Sequence, residues 1–312
     1  LDPVERRTDL FGAFIQDEIS LVERTLALTL GARAEHNDFT GFEFQPNVRL
    51  MWTPDPRTTL WSSVSRAVRT PSRAENDFGV NFPGVAENVI APGFPAITIG
   101  IRGSDTLEPE ELTAYELGYR AQLTDQFSAE LALFYNEYEQ LRSFVSDADL
   151  DFTKSPVEIN VSLGSAASGK TYGGELSLNW RVNEHWWLRA DYSHLRTSID
   201  AGSNIQLGSF GSEAAEGINP RHHAALRSWM DLSHGFELDL ALRYVAARPS
   251  IEVPAYTELD VRLGWRVSEE MEFSLVGQNL LDRAHPEFKP SFFGTQATEV
   301  QRSIFGVVTL RF

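Results

Sequence analysis

The sequence predicts an all-β protein, an antiparallel up-and-down meander of about thirteen strands that forms part of a transmembrane β-barrel. Three observations support this prediction: apolar and polar residues alternate along most of the 312 residues, short turns alternate with long connections, and tryptophans gather beside the short turns. No stretch approaches the roughly 18 consecutive apolar residues of a membrane helix. No helical period competes over a comparable length.

Alternation with a period of two is typical of strands that have one apolar and one polar face. In ELDVRLGWR (258–266) every second residue is Leu, Val, Leu or Trp, and in FELDLALRY (236–244) apolar residues occupy every odd position. The pattern places the strands, in chain order, at residues 10–20, 25–36, 44–53, 58–67, 112–122, 127–145, 170–181, 186–198, 220–231, 236–247, 256–266, 271–281 and 301–312.

The connections between these strands alternate between short and long, without exception in the predicted layout. The short ones are rich in Asp, Asn, Pro, Gly and Ser, which favours tight turns, and they cover 21–24, 54–57, 123–127, 182–185, 232–235 and 267–270. The longest connections cover 68–111, 146–169, 199–219 and 282–300. Short turns on one side and long loops on the other are the layout of an outer-membrane barrel.

Tryptophan positions give a second indication of the same layout. Trp52, Trp180 and Trp265 end strands just before a short turn, and Trp186 begins a strand just after one, all four on the apolar side of the alternation. An aromatic girdle at the membrane interface has this pattern. A soluble core would place tryptophans in mid-strand instead. The other three tryptophans, Trp61, Trp187 and Trp229, are ambiguous or inward.

The polar side of the alternation carries both signs of charge, which suits a wet lumen or a polar domain inside it. The apolar side is almost free of charge across strand centres, as the cost of about 2–4 kcal/mol for a midplane Arg or Lys requires. The residues predicted to face the lumen are Arg49, Glu116, Arg120, Glu175, Asp260 and Arg262.

Composition excludes several classes of function. The formal net charge of -17 argues against a nucleic-acid partner, which requires a basic surface. The chain has no cysteine, so disulfides, thiolate metal sites and cysteine nucleophiles are absent. The expected partner is outer-membrane lipid, and the sequence predicts neither a cofactor nor a metal site.

Four segments resemble TonB-dependent outer-membrane receptors of bacteria. SRAVRTPSR (65–73) resembles the Ser-Arg-x-x-Arg-x-Pro-Ser motif of that family, and LEPEELTAYELGYR (107–120), followed by LALFYNEYEQL, resembles its Leu-x-Pro-Glu…Tyr-Glu-x-Gly segment. TYGGELSLNW (171–180) resembles its Tyr-Gly-x-Glu strand, and VGQNLLDRAHPEF (276–288) resembles its Asn-Leu-x-Asp motif. The segments occur in the family's order, and the resemblance covers essentially the whole chain.

The resemblance implies a 22-strand barrel around an N-terminal plug domain, of which residues 1–312 would be the C-terminal portion, without the plug. It implies active uptake of a scarce ligand, most often a ferric siderophore, in the bacterial outer membrane. Energy would come from the TonB system through the plug domain that this chain lacks. Phe312, at the end of the last strand, resembles the signal that such barrels present to the barrel-assembly machinery.

Ligand contacts in the family lie on loops and barrel wall at the outer side. Arg66, Arg69, Arg73 and Arg102 flank or lie within the long connection after residue 67 and could attract an anionic siderophore. The alternative is that Arg66 and Arg69 pair with structural carboxylates. A family motif shared by receptors of many ligands cannot set ligand identity.

His222 and His223, in NPRHHAAL, begin a strand at the same side and are also candidates, although adjacent strand residues point to opposite faces. DADLD (147–151) matches part of a calcium loop, but Phe152 stands where that template needs glycine.

Two other functions stay open at this point. A passive porin would share the polar lumen, but it would lack the long loops and the Asn-Leu-x-Asp segment. An outer-membrane barrel enzyme would need a nucleophile and a base that converge on one rim, and no spacing selects such a pair. The sequence therefore predicts a protein that is not an enzyme.

Overall fold

The computed structural model describes residues 3–83, 96–147, 156–201, 216–289 and 297–312, and it confirms the all-β prediction. The strands are β1 (Leu10–Val22), β2 (Leu26–Asn37), β3 (Gly41–Asp55), β4 (Thr58–Arg69), β5 (Gly79–Pro83), β6 (Ile97–Arg102), β7 (Glu110–Thr124), β8 (Phe127–Asp147), β9 (Val157–Asn183), β10 (Trp186–Asp200), β11 (His222–Asp231), β12 (Phe236–Val245), β13 (Tyr256–Arg266), β14 (Met271–Gln278), β15 (Ala284–Pro286), β16 (Glu299–Gln301) and β17 (Ser303–Leu310).

Thirteen of these strands form the main antiparallel meander, in the order β1-β2-β3-β4-β7-β8-β9-β10-β11-β12-β13-β14-β17. They correspond one for one to the thirteen predicted strands. The β5–β6 ribbon joins the same sheet through β9, and β15 and β16 form a separate two-stranded ribbon. Within the described ranges no helix is long and apolar enough to cross a membrane.

Strand β9 corrects the predicted loop at 146–169, because it begins at Val157 rather than at residue 170. Its first residues pair with the end of β8, from Asp147↔Asn160 onward, and in parallel with β6, from Ile97↔Val157 to Arg102↔Ser162. Val157, Val161 and Ala167 are almost completely buried. Partners on both sides therefore extend the β8–β9 hairpin well beyond its neighbours.

The β2–β3 connection corrects the predicted alternation of loop lengths, because it spans only residues 38–40. The Asn37 side chain accepts hydrogen bonds from the backbone N–H groups of Phe39 and Thr40, each at 2.9 Å. Gly41 then adopts φ +78°, which few other residues tolerate. This turn shortens one connection at the end of the strands that otherwise carries the long connections. We call that end of the strands the outer rim, and the opposite end, with the short turns, the turn end.

A short helix, α1 (Arg73–Asp77), lies within the predicted loop 68–111, where no helix is predicted. Ser72 caps it: its hydroxyl accepts from the Glu75 N–H, and the Glu75 carboxylate accepts from the Ser72 N–H. This reciprocal capping box satisfies backbone donors that a one-turn helix cannot pair internally. The β5–β6 ribbon follows, so much of this connection is ordered secondary structure.

The strand register sorts side chains onto two faces, since directly paired residues share a face. Leu26↔Trp52↔Leu60 and Phe236↔Trp265↔Phe273 lie on the apolar face near the turn end. Trp180 pairs there with Leu188, and the Trp186 indole donates to Ser228 on the same face. All four girdle tryptophans thus lie on the predicted face, and their role at a membrane interface stays a prediction.

The opposite, polar face carries all six residues predicted to face the lumen. Their pairs include Thr29↔Arg49, Ser63↔Glu116, Arg120↔Glu130, Ser193↔Glu175, Ala241↔Asp260 and Asp239↔Arg262. Trp61 also lies on this face. Its ring stacks under the Arg49 guanidinium at 5.1 Å and covers Gly118, where an added Cβ would come within 2.1 Å of the ring.

The two outermost strands of the meander are β1 and β17. Each has one partner in the sheet among the described residues. In β17, Ile304, Val308 and Leu310 lie on the apolar face, level with Gly277, Phe273 and Met271 of β14. Phe312 follows the strand with its side chain fully exposed. Asp17 of β1 lies on this face in mid-strand, opposite Leu30, and further charged residues, among them Arg66 and Glu111, lie on it at the outer rim.

Candidate functional site

A cavity of about 440 Å³ opens on the polar face near the outer rim, and we call it the rim cavity. Its polar lining comes from the outer ends of β9 to β13 and from the segment after β15. The principal polar lining residues are Glu175, His223, Arg243, Arg248, Tyr256 and Glu287. A second cavity of about 480 Å³ shares Glu175, Ser193 and His223 with it and continues along the wall toward the turn end. The two form one polar surface.

Hydrogen bonds fix the cationic side of the rim cavity. Arg243 donates to Glu258, and its Nη2 lies 2.6 Å from Glu287 Oε1. Tyr256 donates its hydroxyl proton to the same Glu287 oxygen at 2.9 Å. The Arg248 guanidinium donates to the backbone carbonyl of Glu287. Arg243 is thus neutralised by two carboxylates, whereas the Arg248 guanidinium donates, within the described ranges, only to a backbone carbonyl and can attract an anion.

Arg248 has donor capacity that its own chain does not use. Its buried Nε has no hydrogen-bond partner among the described residues, and no carboxylate there pairs with its guanidinium. A buried donor without a partner costs about 1–3 kcal/mol.

Of the four predicted arginines, Arg66 lies on the apolar face, paired with Thr113 in the register. Its Nη2 is 2.5 Å from Glu111 Oε1, so it does not line the rim cavity. Arg69, on the polar face, lies 2.6 Å from Glu110 and 2.8 Å from Glu75. Both have the carboxylate partners that the structural alternative expects.

Arg73 and Arg102 lie in the connection after β4. Arg73 contacts Asp77 at 3.2 Å and donates to the backbone carbonyls of Pro3 and Val4, which ties α1 to the chain before β1. Arg102 donates to Asn81 Oδ1 at 2.6 Å, and among the described residues it has no carboxylate partner. Ligand contacts by these four arginines stay a prediction.

Glu75 is the centre of an ion-pair cluster at the outer rim. It contacts Arg69 and, at 2.9 Å, Arg142, whose backbone N–H donates to Glu110. Burial alone would raise the pKa of Glu75, but hydrogen bonds from Arg69, Ser72 and Arg142 lower it to about 2. Glu75 is therefore a carboxylate at neutral pH and holds α1 against β4 and β8.

His222 and His223 separate onto the two faces, as adjacent strand residues must. His222 lies on the apolar face, where its Nδ1 is 2.8 Å from the Tyr192 hydroxyl and its ring is 4.8 Å from that of His194. His223 lines the rim cavity. Of the two adjacent histidines, His223 is the one placed to contact a ligand in the rim cavity. Asp149 and Asp151 of the calcium-loop candidate lie outside the described residues.

The predicted lumen residues take part in a charged network on the polar face. Arg262 contacts Asp239 at 2.9 Å and Glu237 at 3.1 Å, and it also pairs with Glu272. Asp260 accepts from the Asn279 backbone N–H at 2.9 Å, in the Asn-Leu-Leu-Asp segment. These groups lie below the rim cavity, toward the turn end.

The structure also brings together residues that the sequence does not single out. Arg243, Arg248, Tyr256 and Glu287 converge on the rim cavity although they span 45 positions of the chain. Arg243 carries a signal, because it is a polar-face cation at the outer end of its strand. The other three depend on the geometry of two connections, which periodicity does not predict.

Comparison with known proteins identifies relatives of this chain. The family model for the TonB dependent receptor-like β-barrel matches residues 2–280. The iron-regulated outer membrane virulence protein of Vibrio cholerae is 23% identical over 288 residues, which cover 88% of this chain and 41% of that protein. The chain therefore spans less than half the length of this relative.

Solved structures show the same fold at low identity. A siderophore receptor of Acinetobacter baumannii superimposes with a TM-score of 0.70 at 14% identity, over 98% of this chain and 46% of that one. A mutant ferric enterobactin receptor of Pseudomonas aeruginosa, in complex with enterobactin, has a TM-score of 0.70 at 16% identity, over 97% and 45% of the two chains.

Proposed function

Because this chain belongs to the family of TonB dependent receptor-like β-barrels, a family of bacterial outer-membrane transport receptors, we propose that it forms barrel wall of a receptor for ferric siderophores. The rim cavity supports this proposal most directly. Arg248 and His223 line this cavity, which opens on the polar face, the face toward the lumen in a barrel. Cationic and aromatic groups there suit an anionic, oxygen-rich ligand.

The size and openness of the wall also agree with a bulky ligand. The two cavities together form one polar surface that reaches from the outer rim toward the turn end. A siderophore complex would meet Arg248 first and could then descend along the charged network around Arg262. Release would be driven by the TonB system through a plug domain, as we propose for the complete receptor.

Uptake of ferric enterobactin, an anionic iron catecholate, tests the proposal. The complete receptor that contains this chain is expressed in a strain that lacks its own receptor for this complex. We expect Arg248→Ala to weaken binding about 10-fold, since a charge-assisted hydrogen bond contributes about 1.5–3 kcal/mol. The control is Arg57→Ala, which removes an exposed arginine at the turn end, paired with Asp125.

Two results would contradict the proposal. If the Arg248→Ala variant binds each of two ligands, ferric enterobactin and a ferric hydroxamate, as tightly as the wild type does, the rim cavity is not the ligand site. If uptake continues after the inner-membrane energy source is removed, the protein is a passive channel. Heat-modifiable mobility on gels confirms that each variant is folded.

A further inference from the structure

His285 in β15 is a buried histidine that the proposed receptor function does not use. Its side chain is 3% exposed, and its ring stacks on Tyr256 with centroids 4.1 Å apart. Neither Nδ1 nor Nε2 has a hydrogen-bond partner among the described residues. A buried polar atom without a partner costs about 1–3 kcal/mol, so two on one ring require an explanation.

Carboxylates lie just beyond hydrogen-bond distance of both ring nitrogens. Glu287 Oε1 is 3.7 Å from Nε2, and Asp282 Oδ2 is 3.9 Å from Nδ1. Glu258, on the neighbouring strand β13, is 8% exposed and completes a group of three. One ligand atom from each of Glu258, His285 and Glu287 lies within 4.8 Å of the others.

We propose that Glu258, His285 and Glu287 bind a divalent metal ion of the zinc type. Imidazole nitrogen and carboxylate oxygen are both ligands that Zn²⁺ takes at about 2.0–2.2 Å. In a tetrahedral site such ligand atoms lie about 3.3 Å apart, so the group needs to contract by at most about 1.5 Å. The site lies beside the rim cavity and is separate from any metal that a siderophore carries.

Asp282 has the position of an orienting residue for this site. Histidines that bind metals usually donate their other ring N–H to a carboxylate or carbonyl, which fixes the tautomer. Asp282 is the carboxylate nearest to Nδ1, so Nε2 would bind the metal. The buried ring of His285, stacked on Tyr256, has little freedom to turn away.

Arg243 would compete with the metal ion for the carboxylates of Glu258 and Glu287. Its Nη2 contacts both Glu258 and Glu287, and so supplies the positive charge that the two carboxylates require. A metal ion would take over these oxygens, and Arg243, which is 39% exposed, would turn toward the lumen. Two variants should therefore have opposite effects: loss of His285 weakens metal binding, and loss of Arg243 strengthens it.

Isothermal titration calorimetry with Zn²⁺, on the complete receptor that contains this chain, purified in detergent, tests the proposal. We expect one site in the wild type. His285→Ala should lower its affinity by at least about 100-fold, and Asp282→Asn by about 10-fold, in line with the effect of orienting residues. Arg243→Met should raise affinity by about 10-fold or more. His185→Ala, in an exposed turn at the turn end, is the matched control and should leave affinity unchanged.

Co²⁺ gives a second measurement, since its visible absorption reports inner-sphere coordination. Loss of this absorption in His285→Ala, with heat-modifiable folding intact, supports the site. The proposal is wrong if the wild type binds no Zn²⁺, if His285→Ala binds as the wild type does, or if Arg243→Met gains nothing. Only the metal is added, so the result is independent of the ferric enterobactin assay.

Discussion

Arginines at the outer rim differ in whether carboxylates of the same chain neutralise them, and this does not depend on the face of the sheet that carries them. Arg66 pairs with Glu111 on the apolar face, and Arg69 pairs with Glu75 and Glu110 on the polar face. Both guanidinium groups are neutralised within the chain, whereas the buried Nε of Arg248 finds no acceptor in the part of the chain that the structure describes. The partners of a cation, rather than its presence in a motif, decide whether it can hold an anionic ligand.

Glu75 gives a prediction about pH. Its pKa in the folded chain, about 2, lies below the ordinary value of 4.5. Its stabilising contribution is therefore fully present above about pH 4.5 and is lost as the pH falls toward 2. We expect hydrogen-exchange protection factors in α1 to fall over this range, and Glu75→Gln to abolish the protection at neutral pH.

The control for this experiment is Glu23→Gln at the turn end, where the side chain is 88% exposed. It should leave the exchange of α1 unchanged at every pH. Protection of α1 that does not change between pH 7 and pH 2 would show that the Glu75 cluster does not hold the helix.

Gly118 gives a second prediction at the same scale. An added Cβ would lie 2.1 Å from the Trp61 ring, which Arg49 holds from the other side. We expect Gly118→Ala to lower stability by about 1–3 kcal/mol, as overpacking does. Gly12→Ala is the matched control, since its Cβ would meet its nearest atom, Arg33 Nη2, at 3.8 Å. Equal thermal stability of the two variants would contradict this view of Trp61.

At the scale of elements, alternation predicts the long strands well, because one face of each meets an apolar environment. FELDLALRY is predicted from residue 236 and begins there in the structure. The first eight residues of β9, VEINVSLG, also alternate strictly, with Val157, Ile159, Val161 and Leu163 on one side, so the sequence carried a signal for this strand that the loop predicted at 146–169 overlooked. Strands β5, β15 and β16 are missed for another reason: they have five, three and three residues, too few for a period of two to stand out. For β6, periodicity does not show that its partner is β9.

The β2–β3 turn gives a prediction about an element. Gly41 has φ +78° and no atom within 4 Å of an added Cβ, so a substitution there meets backbone strain but no clash. We expect Gly41→Ala to cost about 1–2 kcal/mol and Gly41→Asn to cost less, because Asn tolerates this conformation. Chemical denaturation of the two variants compares these costs. Equal costs would mean that the turn can adopt another geometry.

The candidate site shows where sequence reasoning stops. Alternation along its strand places Arg243 on the polar face, together with the charged residues of the neighbouring strands. His285 and Glu287 follow the Asn-Leu-Leu-Asp segment, whose path back to β13 depends on the hydrogen bond between Asn279 and Asp260. That path brings His285 against Tyr256. No local pattern in the sequence predicts the contact between His285 and Tyr256.

At the scale of the whole molecule, β1 and β17 each leave one edge without a partner strand among the residues that the structure describes. Lipid does not supply hydrogen bonds to backbone groups, so an open sheet edge is not tolerated in the hydrocarbon layer. We expect these 312 residues, expressed alone, to fail to insert as a monomer. Heat-modifiable mobility and protease resistance in outer-membrane fractions measure this. Stable insertion of the monomer would contradict the expectation.

The parallel pairing of β6 with β9 has a consequence for the order of assembly. Most strands of the meander pair with the next strand in sequence, so each hairpin can form soon after its residues are available. The pairing between β6 and β9 joins Ile97 to Val157, so it can form only after β9 has been added to the sheet. Contacts between distant residues form late, because the chain loses more entropy in closing the loop. The β5–β6 ribbon should therefore be the last part of the outer rim to fold and the first to open.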